Sequence, residues 1–529
     1  MKKRKAFTAL LLAAIMVLPS SLTVFANSNR TAHTGQMGFF GGISEGVSLP
    51  RTTETILRQN VNATNVDIQN LMYREIIWLT GEPIEWEGVM RLTVTGGRGG
   101  GRNADPNVGT REVRYRINNS ISSPEGLSIF RDIRFTVEWR RVGNQIIETY
   151  TIAQDAHWRE TITVGDEVFV LDPRLSDFNI SIFRDVTPGV TYYHGHFSKR
   201  AVYVSNGITI VNDVFGEILG YESAWSATET HRLTGVIQHG DGWQMQYEVI
   251  PSLSVSKDLQ YAATTPTLIS FDGNYREVMS NQSALVYVIH MQPGFLYGTA
   301  TVGGTVIPTF NTFEQLIAPN LSFLRGHWAY GDIRRLFAME VLRGDPTHFR
   351  PNQGVSRGEF MTMLARAIKL PLEAAHTGPP VIDRRTGLNT IQGTFPDVWH
   401  GRQDFAYIEA VHNSGMAIGR GEGQFQPDQI IERQEAFVLA LRALGLSNLG
   451  LAQAPITPFA DDNLIGAWAR QDLYAAYRIG LILPDENGML HPTQLMHKAE
   501  AAALINRLIE YMRHELQRDY TENVINFMN

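Results

Sequence analysis

The sequence predicts a multidomain protein, with a mainly-β N-terminal region of antiparallel, sandwich-like sheets followed by an α-helical C-terminal region of three repeats. Three observations carry that expectation. From about Gly35 to Pro319, apolar and polar residues alternate with a period of two, across stretches rich in Thr, Val, Ile and aromatics. After Leu321 the period turns helical: Ile333, Leu336 and Phe337 fall at i, i+3 and i+4, as do Phe360, Met363 and Leu364, and Leu441 and Leu444 continue it. In that helical region a set of residues recurs three times at held offsets.

At the amino terminus, Lys2, Lys3, Arg4 and Lys5 precede an apolar run from Ala6 to Leu18, and Val24-Phe25-Ala26 offers small residues for cleavage. This is the layout of a secretory signal peptide, taken as residues 1–26, and it implies an exported protein. The run is too short to span a bilayer comfortably, and no later apolar stretch is long enough, so no transmembrane segment is expected in the mature chain. The 529 residues are 43% hydrophobic, which supports packed cores in at least two domains. The net charge is −7, and loss of the four basic residues of the signal takes it to −11, which argues against nucleic acid as a partner. Cysteine is absent, which excludes disulfides, thiolate metal sites and a cysteine nucleophile.

The β region, residues 27–320, reads as a series of hairpins. Ile133, Phe135, Val137 and Trp139 lie on one strand face, Gly143-Asn144 makes a turn, and alternation resumes from Ile146 to Ile152. Ala201 to Val204 and Ile208 to Val211 flank Asn206-Gly207, and a third hairpin runs from Leu233 to Ile250 around Gly240-Asp241-Gly242. An antiparallel sandwich and two smaller sheets in series, as two subdomains, both fit this pattern. The glycine-rich run from Gly96 to Arg102 is expected to be a surface loop; without a following Gly-Lys-Ser/Thr it does not read as a phosphate cradle.

The repeated pattern is an amphipathic helix, a glycine turn, an apolar residue two before Pro, then a basic residue six after that Pro and Glu two further on. The first copy, within 321–371, holds Trp328-Ala329, Ile333, Leu336, Gly344, Phe349-Arg350-Pro351 and Ser356-Arg357-Gly358-Glu359. The second, within 394–447, holds Phe395-Pro396-Asp397, Ile408, Val411, Gly415, Phe425-Gln426-Pro427 and Glu432-Arg433-Gln434-Glu435. The third, within 457–515, holds Phe459-Ala460-Asp461, Trp468-Ala469, Leu473, Gly480, Leu490-His491-Pro492 and His497-Lys498-Ala499-Glu500. This triplet resembles the S-layer homology family, whose units carry a Phe-x-Asp opening, a Trp-Ala helix start, a Gly turn, Phe-x-Pro and a Thr-Arg-Ala-Glu-like tetrapeptide. The resemblance covers roughly residues 321–515. It implies a three-pronged helical module that binds secondary cell-wall polysaccharide, often bearing pyruvylated amino sugars, in grooves between units, and it implies no catalysis. The first copy departs from the pattern at Leu324-Arg325, where the acidic opening is expected. The second has Gln403 at the place of Trp328, with Trp399 close by.

Ser356 followed by Glu359 reads as a capping box, which sets Arg357 at the first helical position beside backbone N–H groups that a helix start leaves open. A guanidinium fork matches a carboxylate with two hydrogen bonds, and a helix N-terminus favours an anion. Arg357 and Arg433 are therefore the expected polymer-anion contacts, with Lys498 a weaker third because a lysine lacks the fork. Ser356, Glu359, Glu435 and Glu500 are expected to cap helices. Trp328 and Trp468 are candidates for stacking on a sugar ring, although Trp-Ala at a helix start more often packs into a core.

Other local patterns have plainer readings. His194-Gly195-His196 has ligand-like spacing but no third ligand, so no metal site and no cofactor are expected. Glu85 and Glu87 mimic a glycosidase pair but read as a solvated face, Ser254-x-x-Lys257 as a chance serine–lysine match, and Asp485-Glu486-Asn487-Gly488 as a turn. No catalytic constellation stands out. The sequence reads as an exported, non-catalytic cell-surface protein that binds wall polysaccharide and has the capacity to self-associate. A wall-anchored polysaccharide-active enzyme and an S-layer lattice subunit stand as alternatives.

Overall fold

The computed structural model describes residues 38–44, 66–96, 105, 107–118, 126–154, 158–262, 273–291, 301–372, 393–449 and 456–520. The signal segment 1–26 and residues 97–102 of the glycine-rich run lie outside the described residues.

The alternating half forms one antiparallel sheet of fifteen described strands. These are β1 (Ile43–Ser44), β2 (Val66–Ile77), β3 (Ile84–Gly96), β4 (Val108–Ile117) and β5 (Ser128–Val142). β6 (Gln145–Ile152), β7 (Arg159–Val164), β8 (Glu167–Leu171), β9 (Asp177–Val186) and β10 (Val190–Ser205) follow. The last are β11 (Ile208–Ser223), β12 (Ser226–His239), β13 (Gln244–Ala262), β14 (Asn274–Met291) and β15 (Thr301–Leu316). Neighbours in the sheet are neighbours in the chain, except that β7 and β8 form a side hairpin joining β5 to β10 and leave β6 to pair with β9. The hairpins expected from the sequence are present: Asn206 and Gly207 have φ of 50° and 82°, both left-handed, and close β10 onto β11 with Ser205 opposite Ile208.

Hydrogen bonding runs through the whole region, so the sheet is single, and its layering comes from curling over one core. Phe39 lies at the centre of that core. Its ring meets Tyr115 of β4 at 6.1 Å, Tyr150 of β6 at 5.7 Å and Phe197 of β10 at 6.0 Å, and stacks on His231 of β12. Trp78, just after β2, stacks at 4.4 Å on Tyr247 of β13 and meets Tyr287 of β14 edge-on, which joins the two ends of the strand order. Curling is eased where a glycine faces an aromatic residue directly across two strands, as in Gly216 with Phe197, Gly220 with Tyr193, Gly235 with Tyr247 and Gly303 with Tyr287. Each ring lies over the glycine, where a side chain would overlap it.

The same inner face buries charge. Arg131 reaches Glu75 at 2.8 Å and Glu160 at 2.6 Å while its guanidinium lies 4.1 Å above the Phe40 ring. Burial raises the Glu75 carboxyl. Burial also acts to raise Glu160, but Arg131 outweighs it and holds that carboxyl below its usual range.

The helical half has three helix pairs: α1 (Tyr330–Ala338) with α2 (Arg357–Ala367), α3 (Phe405–Asn413) with α4 (Arg433–Leu444), and α5 (Arg470–Arg478) with α6 (Lys498–Glu510). A π-helical turn (Tyr511–Glu515) and α7 (Leu516–Asp519) end the described chain. The second helices of the pairs meet at their N-termini in a closed ring of backbone hydrogen bonds. Val355 N donates to Met496 O (2.9 Å), Met496 N to Ile431 O (2.9 Å), and Ile431 N to Val355 O (3.1 Å). At their other end, carbonyls of all three segments accept from the β region: at the ends of α2 and α4, Ala367 O from Trp225 Nε1 (2.7 Å), Ala443 O from Gly189 N (2.7 Å) and Leu444 O from Tyr192 OH (2.9 Å), and, in the π-helical turn that continues α6, Met512 O from Ser226 Oγ. Trp225 is buried there between Lys369 and Arg513, whose charged groups lie 4.7 and 4.5 Å from its ring. No helix among the described residues is long and apolar enough to cross a membrane.

The buried charge can be tested in two ways. Arg131→Ala strands Glu75 and Glu160 without a counter-charge and is expected to cost about 3–5 kcal/mol, read as a lower denaturant midpoint; a loss below about 1 kcal/mol would show that the cluster is already hydrated. Burial, followed by the charge of Glu229, pushes the Glu222 carboxyl up to about 8, with Arg184 opposing. The folded chain therefore holds a proton there that the unfolded chain gives up, and stability falls as pH rises from the ordinary carboxylate range through about 8. Thermal melts of Glu222→Gln should lack this component of the pH dependence, and identical profiles would refute the assignment.

Candidate functional site

The three basic residues of the repeat sit at equivalent places and do equivalent things. Arg357 pairs with Glu435, Arg433 with Glu500, and Lys498 with Glu359 at 2.7 Å, so each unit reaches into the next and the cycle closes. The backbone repeats the cycle: Arg357 N donates to Gln429 O (2.8 Å), Arg433 N to Gln494 O (2.9 Å) and Lys498 N to Gln353 O (2.9 Å). The next N–H in each helix is taken too, by Pro427 O, Pro492 O and Pro351 O. On sequence grounds these N–H groups are expected to be open for an anion. They are not, because the loop before the neighbouring helix supplies carbonyls to them.

Arg357 is only 3% exposed. It donates to Ile418 O at 2.9 Å and lies 4.6 Å over Phe425, and burial followed by the nearby Arg420 pushes its guanidinium down to about 10. Arg433 bonds Leu490 O and lies over Phe437. Ser356 Oγ accepts from Glu359 N while Glu359 accepts from Ser356 N, a closed capping box, and Glu500 accepts from His497 N. Glu435 departs from its expected capping role: it is drawn to Arg357 and Arg420 and closes no box on Glu432. The glycine turn also shifts in the first unit. By hydrogen-bond pattern the counterpart of Gly415 and Gly480 is Glu340, with φ of 58°, and not Gly344.

The Phe-x-Asp motif has a local task. Asp397 accepts from Phe425 N and Gln426 N, and Asp461 from Leu490 N and His491 N, which fixes the loop before each proline. In the first unit the residue before the matching 3-10 turn is Leu321, which has no such acceptor.

Trp328 and Trp468 are 65% and 55% exposed, so neither serves as core, and Trp399 stands out equally at 60%. Trp468 forms one side of a groove of about 450 Å³ between the second and third units. Arg357, Arg420 and Arg442 line it, with Glu432, Gln434, Glu435 and the apolar flank of α4. Arg442 pairs with Asp472 at 3.1 Å, and Arg420 with Glu435 and Gln429. Sequence reasoning missed Arg420 and Arg442. Arg442 had a signal, since Arg366, Arg442 and Arg507 each stand nine residues after the basic position. Arg420 had none, because its counterparts, five residues after the turn residue of each unit, are Asp345 and Asp485.

The minor candidates resolve into structural roles. His194 and His196 stack on Phe183 and Phe215 of neighbouring strands, and among the described residues no cluster of three or more His, Cys, Asp or Glu is placed to hold a metal ion. Glu85 and Glu87 face Arg74 at 3.6 and 3.0 Å. Lys257 is buried against Glu277 at 3.4 Å, and Asp485 caps its own turn through Asn487 N and Met489 N.

Three cyclically bonded helix pairs, with a tryptophan-edged groove lined by three guanidinium groups and two carboxylates, define a helical module. Residues 324–361 match the family model of the S-layer homology domain. The chain is 28% identical over 220 residues to an amylopullulanase of Thermoanaerobacterium thermosulfurigenes, covering 40% of this chain and 10% of that one. It is 28% identical over 189 residues to the exoglucanase XynX of Acetivibrio thermocellus (35% and 16%), and 23% identical over 184 residues to the S-layer protein EA1 of Bacillus anthracis (34% and 19%). It thus spans no more than about a fifth of the length of these relatives. The chain carries a domain of the S-layer homology family and is a protein of the cell surface or cell wall.

The cap and the ion pair at the ring can be separated. Ser356→Ala, which removes the cap, is expected to cost about 1 kcal/mol, and Lys498→Ala, which removes an exposed pair, less than that. Denaturant titration of the two variants checks the order, and a larger loss for Lys498→Ala would mean that the ion-pair cycle, more than the capping, holds the ring.

Proposed function

We propose that the protein is held non-covalently to an anionic secondary cell-wall polysaccharide by three S-layer homology repeats, residues 321–371, 394–447 and 457–515, and that the curled sheet of the N-terminal half, the β roll, is a non-catalytic structural or interaction module. The observation that carries this reading is the groove between the second and third units, where three guanidinium groups and an exposed indole line one cleft. Arg420 and Arg442 are only partly buried and can turn toward a carboxylate on the polymer. Arg357, fixed by Glu435 and Ile418 O, adds positive potential and positions Glu435. Trp468 offers a face for a sugar ring. Arg433 with Trp328 makes the corresponding pair in the next groove. Lys498 with Gln403 makes the weakest, lacking both fork and indole.

The anchor reading is tested by co-sedimentation of the full chain with purified wall sacculi, before and after chemical removal of the secondary polymer. Wild type should bind only untreated sacculi, and added salt should weaken binding. Arg420→Gln should raise the apparent Kd about 10-fold or more through loss of a charged hydrogen bond, and Trp468→Ala by a smaller factor. Binding that survives removal of the polymer and is unchanged in both variants would rule out the groove as the means of attachment.

A further inference from the structure

We propose that the β roll sets the shape of the groove between the second and third units, acting through the last turn of α4, so that the turn 187–190 and Tyr192 are positioning elements of the polymer site. The inference rests on the reading of that groove as the site. α4 faces two ways. Glu435, Val438, Leu439 and Arg442 line the groove, and the next two residues, Ala443 and Leu444, give their carbonyls to Gly189 N at 2.7 Å and Tyr192 OH at 2.9 Å. Arg442 is thus one peptide bond away from a residue held by the sheet.

The contact is close and stiff on both sides. A Cβ at Gly189 would stand 2.8 Å from Ala443 O and 3.2 Å from the Ile368 side chain. Gly445, which ends α4 with φ of 71°, lies against Thr187 with no room for a side chain. Thr187 closes its own turn, since its N and Oγ1 both donate to Val190 O, at 2.9 and 2.6 Å. Tyr192 is held in place by stacking on Tyr520 at 5.8 Å. A shift of α4 along its axis, or a rotation that re-aims Arg442, breaks these contacts. Two sites that bias one element are coupled reciprocally: if the roll fixes α4 for the polymer, then polymer in the groove tightens the hold of α4 on the roll.

Both directions can be read in the full chain. Gly189→Ala, which pushes the turn off the helix end, and Tyr192→Phe, which removes only the hydroxyl, are expected to weaken binding to sacculi, Gly189→Ala by roughly 10-fold and Tyr192→Phe by less. In wild type, wall-polymer fragments released from sacculi should slow hydrogen exchange at the Gly189 amide severalfold more than at amides of β2 and β3, a local excess that general stabilisation by a bound ligand would not give. Wild type that binds sacculi while both variants bind equally well overturns the inference and leaves the anchor reading standing. Weaker binding in the variants with Gly189 exchange unchanged in wild type also overturns it, since lost stability alone would produce that result. Wild type that fails to bind sacculi removes the anchor reading and this inference together.

Discussion

Each helix end leaves backbone groups without intrahelical partners, and three helices brought side by side in a buried core must satisfy them without water. This constraint organises the helical half. At the N-termini the loops before α2, α4 and α6 supply carbonyls to one another in a cycle, so no unit can complete its own helix start. At the C-termini the supply comes from outside the module, from the Trp225 indole, the Gly189 amide and the hydroxyls of Tyr192 and Ser226. The β roll therefore does for one end what the three loops do for the other.

The ring fixes the backbone with close three-fold regularity, and the regularity makes the side-chain differences meaningful. Where the second unit has Arg420, five residues after its turn residue, the others have Asp345 and Asp485, a change of two charges at one place. Asp345 and Asp485 are occupied in their own turns, accepting from Thr347 N and from Asn487 N and Met489 N. Arg420 instead leans on Glu435, which already serves Arg357. Two guanidinium groups share one carboxylate, and with Arg442 they set three guanidinium groups against the carboxylates of Glu432 and Glu435 in the groove that Trp468 borders. On the proposed reading, this groove, with its guanidinium forks and its indole, is the one an anionic polymer would favour over that with Lys498 and Gln403.

What could be read in the sequence was what is local or periodic. The helix period and the proline-to-basic offset located α2, α4 and α6, and the Asn206-Gly207 turn located a hairpin, because both signals lie within a few residues. The single curled sheet was hidden. Its closure depends on Phe39 and Trp78 meeting strands a hundred or more residues away, and on glycines whose purpose is visible only once the opposite residue is known to be aromatic. The same holds for the site. A capping motif correctly points to a helix start, but it cannot tell that a neighbouring unit has already taken the N–H groups. For that reason the guanidinium at Arg357 is a pillar of the ring, and the freer cations are those at Arg420 and Arg442.

The two ends of α4 also bear on how the protein stands on its support. The helix has 12 residues, so about 18 Å separate the ring from the sheet. The helix N-termini and the ion-pair cycle lie at the far side of the module from the roll. On the proposed reading, a polymer strand in the groove would run along α4 between these ends, and the roll is joined to the module by a buried interface centred on Trp225 in addition to the chain itself. Lys257, Lys369 and Arg513 enter that interface with Glu277 among them, and burial, with the charge of Lys257 next, holds the Lys369 ammonium well below its usual range. Separating the two halves would expose Trp225, leave carbonyls of all three helical segments without their protein donors and release these charges to water. Docking so dependent on matched partners favours one relative orientation of the two halves, so that, if the proposed groove is the point of attachment, the sheet would be held in one orientation to whatever the groove binds.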